Sequence, residues 1–218
     1  MEKPIDFKQV AAQLANPSGE MGRTIAKNMN RSNGDMTRRT VDMLGIQTGE
    51  AVLEIGPGNG ALATYVRDKA WGVRYMGADI SPTMVEEATR IHREAIADGR
   101  MAFSLVDGTA LPFRDAAFDK VFTVNTLYFW EEPELQLSEI RRVLRPTGIF
   151  CLAIASKAFM ETLPFSRYGF RLYSPEEASQ LLANNGFTIA QRAIGHYGTT
   201  GQSGAVLREE ITILARIN

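Results

Sequence analysis

Short apolar runs alternate with segments of helical period along most of the chain. "AVLEI" at 51–55 reads as a buried strand and "ALATYVRDKA" at 61–70 as the helix after it. "VRYMGADI" at 73–80 is a second strand. Ser81 then caps a helix with Pro82 at its first position, and that helix runs through "TMVEEATRIHREAIA" to a stop near Gly99. "MAFSLVDG" at 101–108 and "FDKVFTVNTLYF" at 118–129 are the third and fourth strands. A helix opened by Pro133 ends before Pro146, and "TGIFCLAIA" at 147–155 is the fifth strand. "SPEE" at 174–177 is a capping box that opens a last helix before Gly186. "FTIAQRAI" at 187–194 and "REEITILARI" at 208–217 are two closing strands, and the Gly-rich "GHYGTTGQSGAVL" between them reads as a loop.

Strand–helix alternation of this kind implies a mostly parallel sheet covered on both faces. The last two strands have no helix between them and so pair antiparallel.

The first strand leads into three glycines at every second position, Gly56, Gly58 and Gly60. Each costs roughly 0.5–1 kcal/mol of backbone entropy relative to alanine. A strand, a glycine turn and a helix N-terminus together form a device for holding a nucleotide, because unpaired N–H groups and a partial positive charge face the ligand. "GPGNGA" fits the dinucleotide pattern G-x-G-x-x-G/A, with Ala61 last, and equally G-x-G-x-G with Glu54 two places ahead. A tight turn without a ligand is the bland alternative. Asp79 ends the second strand at the spacing from which a carboxylate accepts both ribose hydroxyls, an arrangement common to NAD and S-adenosylmethionine sites.

The third strand continues as "LVDGTALPF", and here the chain resembles class I S-adenosylmethionine-dependent methyltransferases, nearest the ubiquinone/menaquinone-biosynthesis type of small-molecule methyltransferase domain. "FDKVFTVNTLYFW" resembles the fourth strand of that superfamily and "RRVLRPTGIFCLAI" the helix, turn and strand that follow. The resemblance covers about residues 35 to 155. It implies a Rossmann-like α/β fold, a doubly wound seven-stranded sheet with an antiparallel last strand. It divides the chain into a helical N-terminal lid over 1–35 and a methyltransferase domain over 36–218. S-adenosylmethionine is the implied cofactor. Asp107 stands where the family accepts a hydrogen bond from the adenine amino group. Asn125 lies near the methionine part of the cofactor, and Glu54, Ile80 and Gly108 complete the expected binding set with the three glycines and Asp79.

Methyl transfer asks the protein chiefly to align a nucleophile and exclude water, so a weak catalytic signature is expected. Tyr128 is expected near the transferred methyl, and His196, in "GHYG", is the candidate proton acceptor. Met29 in the N-terminal segment, Tyr128, and Arg167 and Arg171 in the aromatic stretch at 156–173 are the expected substrate contacts. That stretch suits an apolar organic substrate, an acid among the options, or buries its own aromatics. No metal site is expected.

Composition narrows the partners. A net charge of −1 and a pI near 6.2 argue against a nucleic-acid partner. The one cysteine, Cys151, sits in an apolar run and reads as a small buried hydrophobe. The N-terminus shows no secretory pattern and no apolar run reaches membrane-spanning length, so a cytoplasmic setting is expected, with a small-molecule substrate and a homodimer left open. A catalytically inactive S-adenosylmethionine- or S-adenosylhomocysteine-binding protein of the same fold is the first alternative. An NAD-linked oxidoreductase is the second, disfavoured because no Y-x-x-x-K is present: Glu132 follows Tyr128 and Leu172 follows Tyr168 at that spacing.

Overall fold

The computed structural model describes residues 5–201 and 204–218. Seven strands form one sheet: β1 (Ala51–Ile55), β2 (Arg74–Asp79), β3 (Met101–Leu105), β4 (Phe118–Val124), β5 (Leu144–Ala155), β6 (Phe187–Gly201) and β7 (Gly204–Ile217). Eight helices surround it: α1 (Phe7–Ala15), α2 (Gly19–Met43), α3 (Ala63–Arg67), α4 (Pro82–Ile91), α5 (Arg93–Ala97), α6 (Pro133–Val143), α7 (Lys157–Met160) and α8 (Pro175–Asn184). The strand order is β3-β2-β1-β4-β5-β7-β6, and β7 runs antiparallel to both its neighbours. The mostly parallel sheet read from the alternation, and the doubly wound seven-stranded form implied by the resemblance, are therefore present, with the order reversing between β1 and β4. In open α/β sheets that point, beyond the strands' carboxyl ends, is where ligands bind.

Successive residues of the inner strands feed two cores. Leu53, Val121 and Phe150 pack with Leu137 and Ile140 of α6 and Leu182 of α8. Val52, Phe122 and Cys151 pack on the other face with Val41 of α2 and Val66 of α3. All five residues of β1 are buried, as an inner parallel strand requires. Truncating a fully buried side chain such as Phe122 costs about 3–5 kcal/mol.

Several elements depart from the sequence reading. The helix expected over 61–70 is only α3, and the one expected from Pro82 to Gly99 breaks at His92 into α4 and α5. His92 leaves the helical path because its Nε2–H donates to Gly60 O at 2.8 Å while its ring stacks on Phe103. The fourth strand stops at Val124 rather than 129, because Asn125 takes a left-handed φ of 57° and a 3-10 turn over Leu127–Phe129 follows. In the Gly-rich 195–207 segment, whose residues 202–203 lie outside those described, the expected loop gives way to strand. Its described residues belong to β6 and β7, whose ladder runs from Phe187↔Ile217 to Gly201↔Gly204. β5 reaches only as far as Ala155↔Glu210, so the rest of the hairpin projects beyond the sheet's carboxyl edge as a two-stranded arm.

At the other end of the chain, α2 is continuous past residue 35. The turn after α1 and the start of α2 dock on α4, and α1 packs on α2: Ser81 Oγ donates to Pro17 O at 2.5 Å, and Arg23 pairs with Glu87 at 3.2 Å.

Candidate active site

The turn after β1 is shaped by what lies against it. Gly56 has φ 71°, and the Thr126 methyl occupies the place a side chain at this position would need. Gly60 has φ 69°, and the Phe103 ring would sit 2.9 Å from an added Cβ. Gly58 meets nothing and instead turns its N–H to Asp79 Oδ2 at 2.9 Å. Ser81 N–H donates to Asp79 Oδ1 at 2.9 Å, so one carboxylate ties the glycine turn to the start of α4. Burial pushes the Asp79 carboxyl up to about 6 against the pull of these backbone donors. Beneath it, Glu54 accepts from the Tyr75 hydroxyl at 2.6 Å, and burial pushes its carboxyl up to about 7.

These groups open into a cavity of about 1200 Å³ at the carboxyl ends of β1, β2 and β4. Glu54, Gly56, Gly58, Asp79, Ile80, Asp107, Gly108 and Asn125 line it, together with Met29 and Tyr128. Asp107 closes a small turn: its Oδ1 accepts from Thr109 N at 2.8 Å, Thr109 Oγ1 at 3.0 Å and Ala110 N at 2.9 Å, which holds its carboxyl below the usual range. Asn125 adopts the left-handed backbone that asparagine tolerates. Its Oδ1 accepts from Ala155 N at 2.9 Å, which joins the ends of β4 and β5.

The Tyr128 hydroxyl lies 2.8 Å from Ala155 O and 3.0 Å from Asn125 Oδ1, sharing one proton between two acceptors. Burial pushes this phenol far above its ordinary value, so it keeps its proton at neutral pH. Tyr128 thus stands at the cavity wall as a fixed group rather than a base. Its ring joins Phe129, Phe165 and Phe170 in an aromatic wall, with Phe129 and Phe170 centroids 4.6 Å apart. All four line the cavity, so aromatics of the 156–173 stretch do face it.

Four expected site residues are not among the cavity-lining ones. Gly60 is buried behind the turn, where it takes His92 and Phe103. His196 is on β6, exposed, and faces Glu209 across the hairpin at 3.3 Å. The expectation that it reaches the site rested on a loop that the hairpin replaces. Arg167 is exposed and bonds Pro164 O at 3.0 Å. Arg171 is exposed, with its guanidinium over the Tyr173 ring.

Other residues take their places. Asn30 Nδ2 donates to Asn59 Oδ1 at 3.0 Å, linking α2 to the glycine turn. Gln136 on α6 lines the cavity, is 4% exposed, and has an Oε1 with no hydrogen-bond partner among the described residues. Arg208 lines it from β7 with a buried guanidinium. The sequence held one signal for Arg208. Arg208, Glu210 and Thr212 place polar groups at every second position at the head of an otherwise apolar strand, which marks one face of that strand as polar.

Residues 53–152 match a family described as a methyltransferase domain. The chain is 36% identical over 112 residues to a demethylmenaquinone methyltransferase of Thermus thermophilus, an alignment covering 51% of this chain and 50% of that protein. It is 34% identical over 117 residues to the 27-O-demethylrifamycin SV methyltransferase of Amycolatopsis mediterranei, covering 54% and 43%. The chain spans about half the length of the curated relatives it matches. Among solved structures, a SAM-dependent methyltransferase from Aquifex aeolicus superposes with a TM-score of 0.66 at 18% identity, covering 99% of this chain and all of that one. A geranyl diphosphate methyltransferase in complex with GPP and sinefungin gives 0.68 at 14% identity, covering 84% and 78%.

Proposed function

We propose that this chain, which carries a class I S-adenosylmethionine-dependent methyltransferase domain, transfers a methyl group from that cofactor to a small organic acceptor. The observation that carries the reading is the continuity of one cavity, from the glycine turn and Asp79 at one end to the aromatic wall of Tyr128, Phe129 and Phe170 at the other.

The residues at the first end fit the cofactor. At Gly58 an added Cβ would meet no protein atom, so the backbone is bare toward the cavity there, while Gly56 gives its space to the Thr126 methyl that shapes the turn. Asp79 faces the cavity with both oxygens anchored by backbone donors, oriented to accept from ribose hydroxyls. Asp107 and Gly108 would flank the adenine, and Asn125 the amino-acid end. S-adenosylmethionine, when bound, supplies a methyl group on a positively charged sulfur.

The chain's own contribution is alignment and exclusion of water. Asn125 and Tyr128 fix the wall beside the expected methyl position through Ala155. Val10, Leu14, Ile25 and Met29 line the cavity from α1 and α2, which supports residues 1–35 as a lid over it. Neither histidine nor cysteine is among the cavity-lining residues, so a proton leaving the acceptor would pass to a carboxylate or to water.

The partner in this reading is a small molecule rather than a nucleic acid, supported by the net charge of −1. No described helix is long and apolar enough to cross a membrane. A cytoplasmic setting and self-association belong to the same reading, the second checked by sedimentation. Calorimetric titration with S-adenosylhomocysteine, with NAD in parallel, tests the cofactor. Methyl transfer to any acceptor then separates an enzyme from a protein that only binds. Binding of NAD alone sinks the proposal.

A further inference from the structure

The cavity's second end carries a positive charge that no carboxylate of its own balances among the described residues. Arg208 has 6% of its side chain exposed and donates from Nε and Nη2 to Glu210 Oε1, at 3.0 and 2.7 Å. Its Nη1 donates to Asn33 Oδ1 at 2.9 Å. Glu210, itself 3% exposed, is also gripped by Arg39 Nη2, at 2.9 and 2.8 Å from its two oxygens. Two guanidinium groups therefore share one carboxylate, and Asn33 adds no charge. Glu209, the next acid along β7, alternates to the opposite face and pairs with His196.

Pinning β7 to α2 is the plain reason for such a cluster. A single buried pair would serve that end, whereas a second guanidinium adds a charge whose desolvation is costly. Arg39 shares part of it with the Tyr197 ring, 3.8 Å away, and with solvent. Arg208 has no such outlet except the cavity, which it lines. The bonds described engage three of its five N–H groups.

Its position matters as well. Glu210 lies opposite Ala155, whose carbonyl takes the Tyr128 hydroxyl. Arg208 is thus set on the aromatic side of the cavity, while Glu54, Asp79 and Asp107 line the glycine-turn side. Glu131 and Glu132 also line the cavity but are exposed, where water and salt screen them.

We infer that the acceptor is an organic acid with an aromatic-sized apolar body, its carboxylate docked on the guanidinium of Arg208 and its body against Phe129, Phe165 and Phe170. This rests on the methyl-transfer reading for the word acceptor, but the acid site stands or falls by itself. A planar fork matched to a carboxylate gives orientation as well as affinity, which alignment of a nucleophile requires. The anchoring cation comes from β7 and not from Arg167 or Arg171.

The test is calorimetry with two probes of one shape, 2-naphthoate and the neutral 2-naphthamide, each with and without saturating S-adenosylhomocysteine. The naphthoate is expected to bind at least about tenfold tighter, the discrimination of one charge-assisted hydrogen bond. Arg208→Gln is expected to erase that preference while leaving S-adenosylhomocysteine affinity within about twofold. If Arg208→Gln does not fold, Arg208→Lys keeps the charge but loses the fork, and the preference is expected to drop at least about threefold. Equal affinity for the two probes in the unaltered protein, or binding of neither, overturns the acid site. A preference that survives both substitutions overturns it too. Naphthoate preference without S-adenosylhomocysteine binding supports the acid site and overturns the methyl-transfer reading, so the two failures are told apart.

Discussion

The Tyr75 hydroxyl donates to Glu54 Oε2 at 2.6 Å, inside the sheet and directly below the glycine turn. It is a single hydrogen bond to a carboxylate whose burial raises it from 4.5 to about 7. Asp79, above it, is raised from 3.8 to about 6. A raised acid binds its proton more tightly in the folded than in the unfolded chain. Stability from these two groups is therefore fully present below about pH 4 and lost as pH climbs through 6 and 7, by about 1.4 kcal/mol per pH unit for each group within its window. Thermal melts of the ligand-free protein should show a falling midpoint between pH 4.5 and 7. S-adenosylhomocysteine affinity should move the other way, rising through about pH 6 as Asp79 ionises to receive the ribose hydroxyls. Tyr75→Phe removes the donor that favours the Glu54 carboxylate, so the upper part of the stability slope should shift to higher pH. Slopes identical in the variant and the parent would show that the bond has no such effect.

Gly56 and Gly58 make different demands, and alanine separates them. Both have positive φ, 71° and 57°, so each substitution carries a backbone cost of about 1–2 kcal/mol. At Gly56 the new Cβ also meets the Thr126 methyl, whereas at Gly58 it meets nothing. Gly56→Ala is expected to lower stability by at least about 1 kcal/mol more than Gly58→Ala and to abolish S-adenosylhomocysteine binding. Chemical denaturation with parallel calorimetry measures both effects, and equal losses in the two variants would contradict the packing argument.

The difference between what the sequence discloses and what it hides follows from how local each feature is. The glycine turn, Glu54 before it and Asp79 at the next strand end are written within one strand–turn–helix–strand unit, so spacing alone brings them together. Asp107 and Asn125 sit at strand ends that the same logic places on one edge. Arg208 and Asn33 meet across 175 positions, and Arg39 and Glu210 across 171, by pairings that no local pattern encodes. His196 fails for the opposite reason. Glycines at 195, 198, 201 and 204 read as a loop, yet each has a partner opposite it in the β6–β7 ladder, which makes a hairpin of them. The aromatic stretch at 156–173 was half legible. Its phenylalanines turn inward to the cavity because burying them is favourable, and its arginines turn out to water for the same reason.

Gln136 offers a test of site against scaffold. Its Oε1 is buried without a partner among the described residues, a state that costs a folded protein about 1–3 kcal/mol. Gln136→Leu keeps much of the volume and removes the orphaned acceptor, so the melting temperature should hold or rise. If the amide serves to receive a hydrogen bond from the acceptor molecule, kcat/KM for methyl transfer should fall about tenfold in the same variant, with S-adenosylhomocysteine affinity unchanged. A loss of stability without a change in kcat/KM would make Gln136 a structural residue.

Asn30 and Asn59 decide whether the N-terminal helices act on the cofactor end. Their amides meet at 3.0 Å, the one side-chain hydrogen bond described between α2 and the glycine turn. Asn59 is 8% exposed, so its Oδ1 has little water to fall back on. The start of α2 and the turn before it are held to α4 by Ser81, Thr83 and Glu87, independently of the glycine turn, and α1 packs on α2. Asn30→Ala should therefore leave the helices docked and free only the turn. S-adenosylhomocysteine affinity is expected to weaken about threefold to tenfold, the worth of one hydrogen bond to a buried partner. Ser81→Ala should loosen the helices themselves by losing both the Pro17 contact and the cap at Met84 N, and limited proteolysis should then cut between α1 and α2 faster than in Asn30→Ala. Added S-adenosylhomocysteine should slow that cut if the two helices close over the bound cofactor, because a ligand that contacts only the docked state raises its population. Cutting at the same rate with and without ligand would mean that α1 and α2 pack on the domain without covering its site.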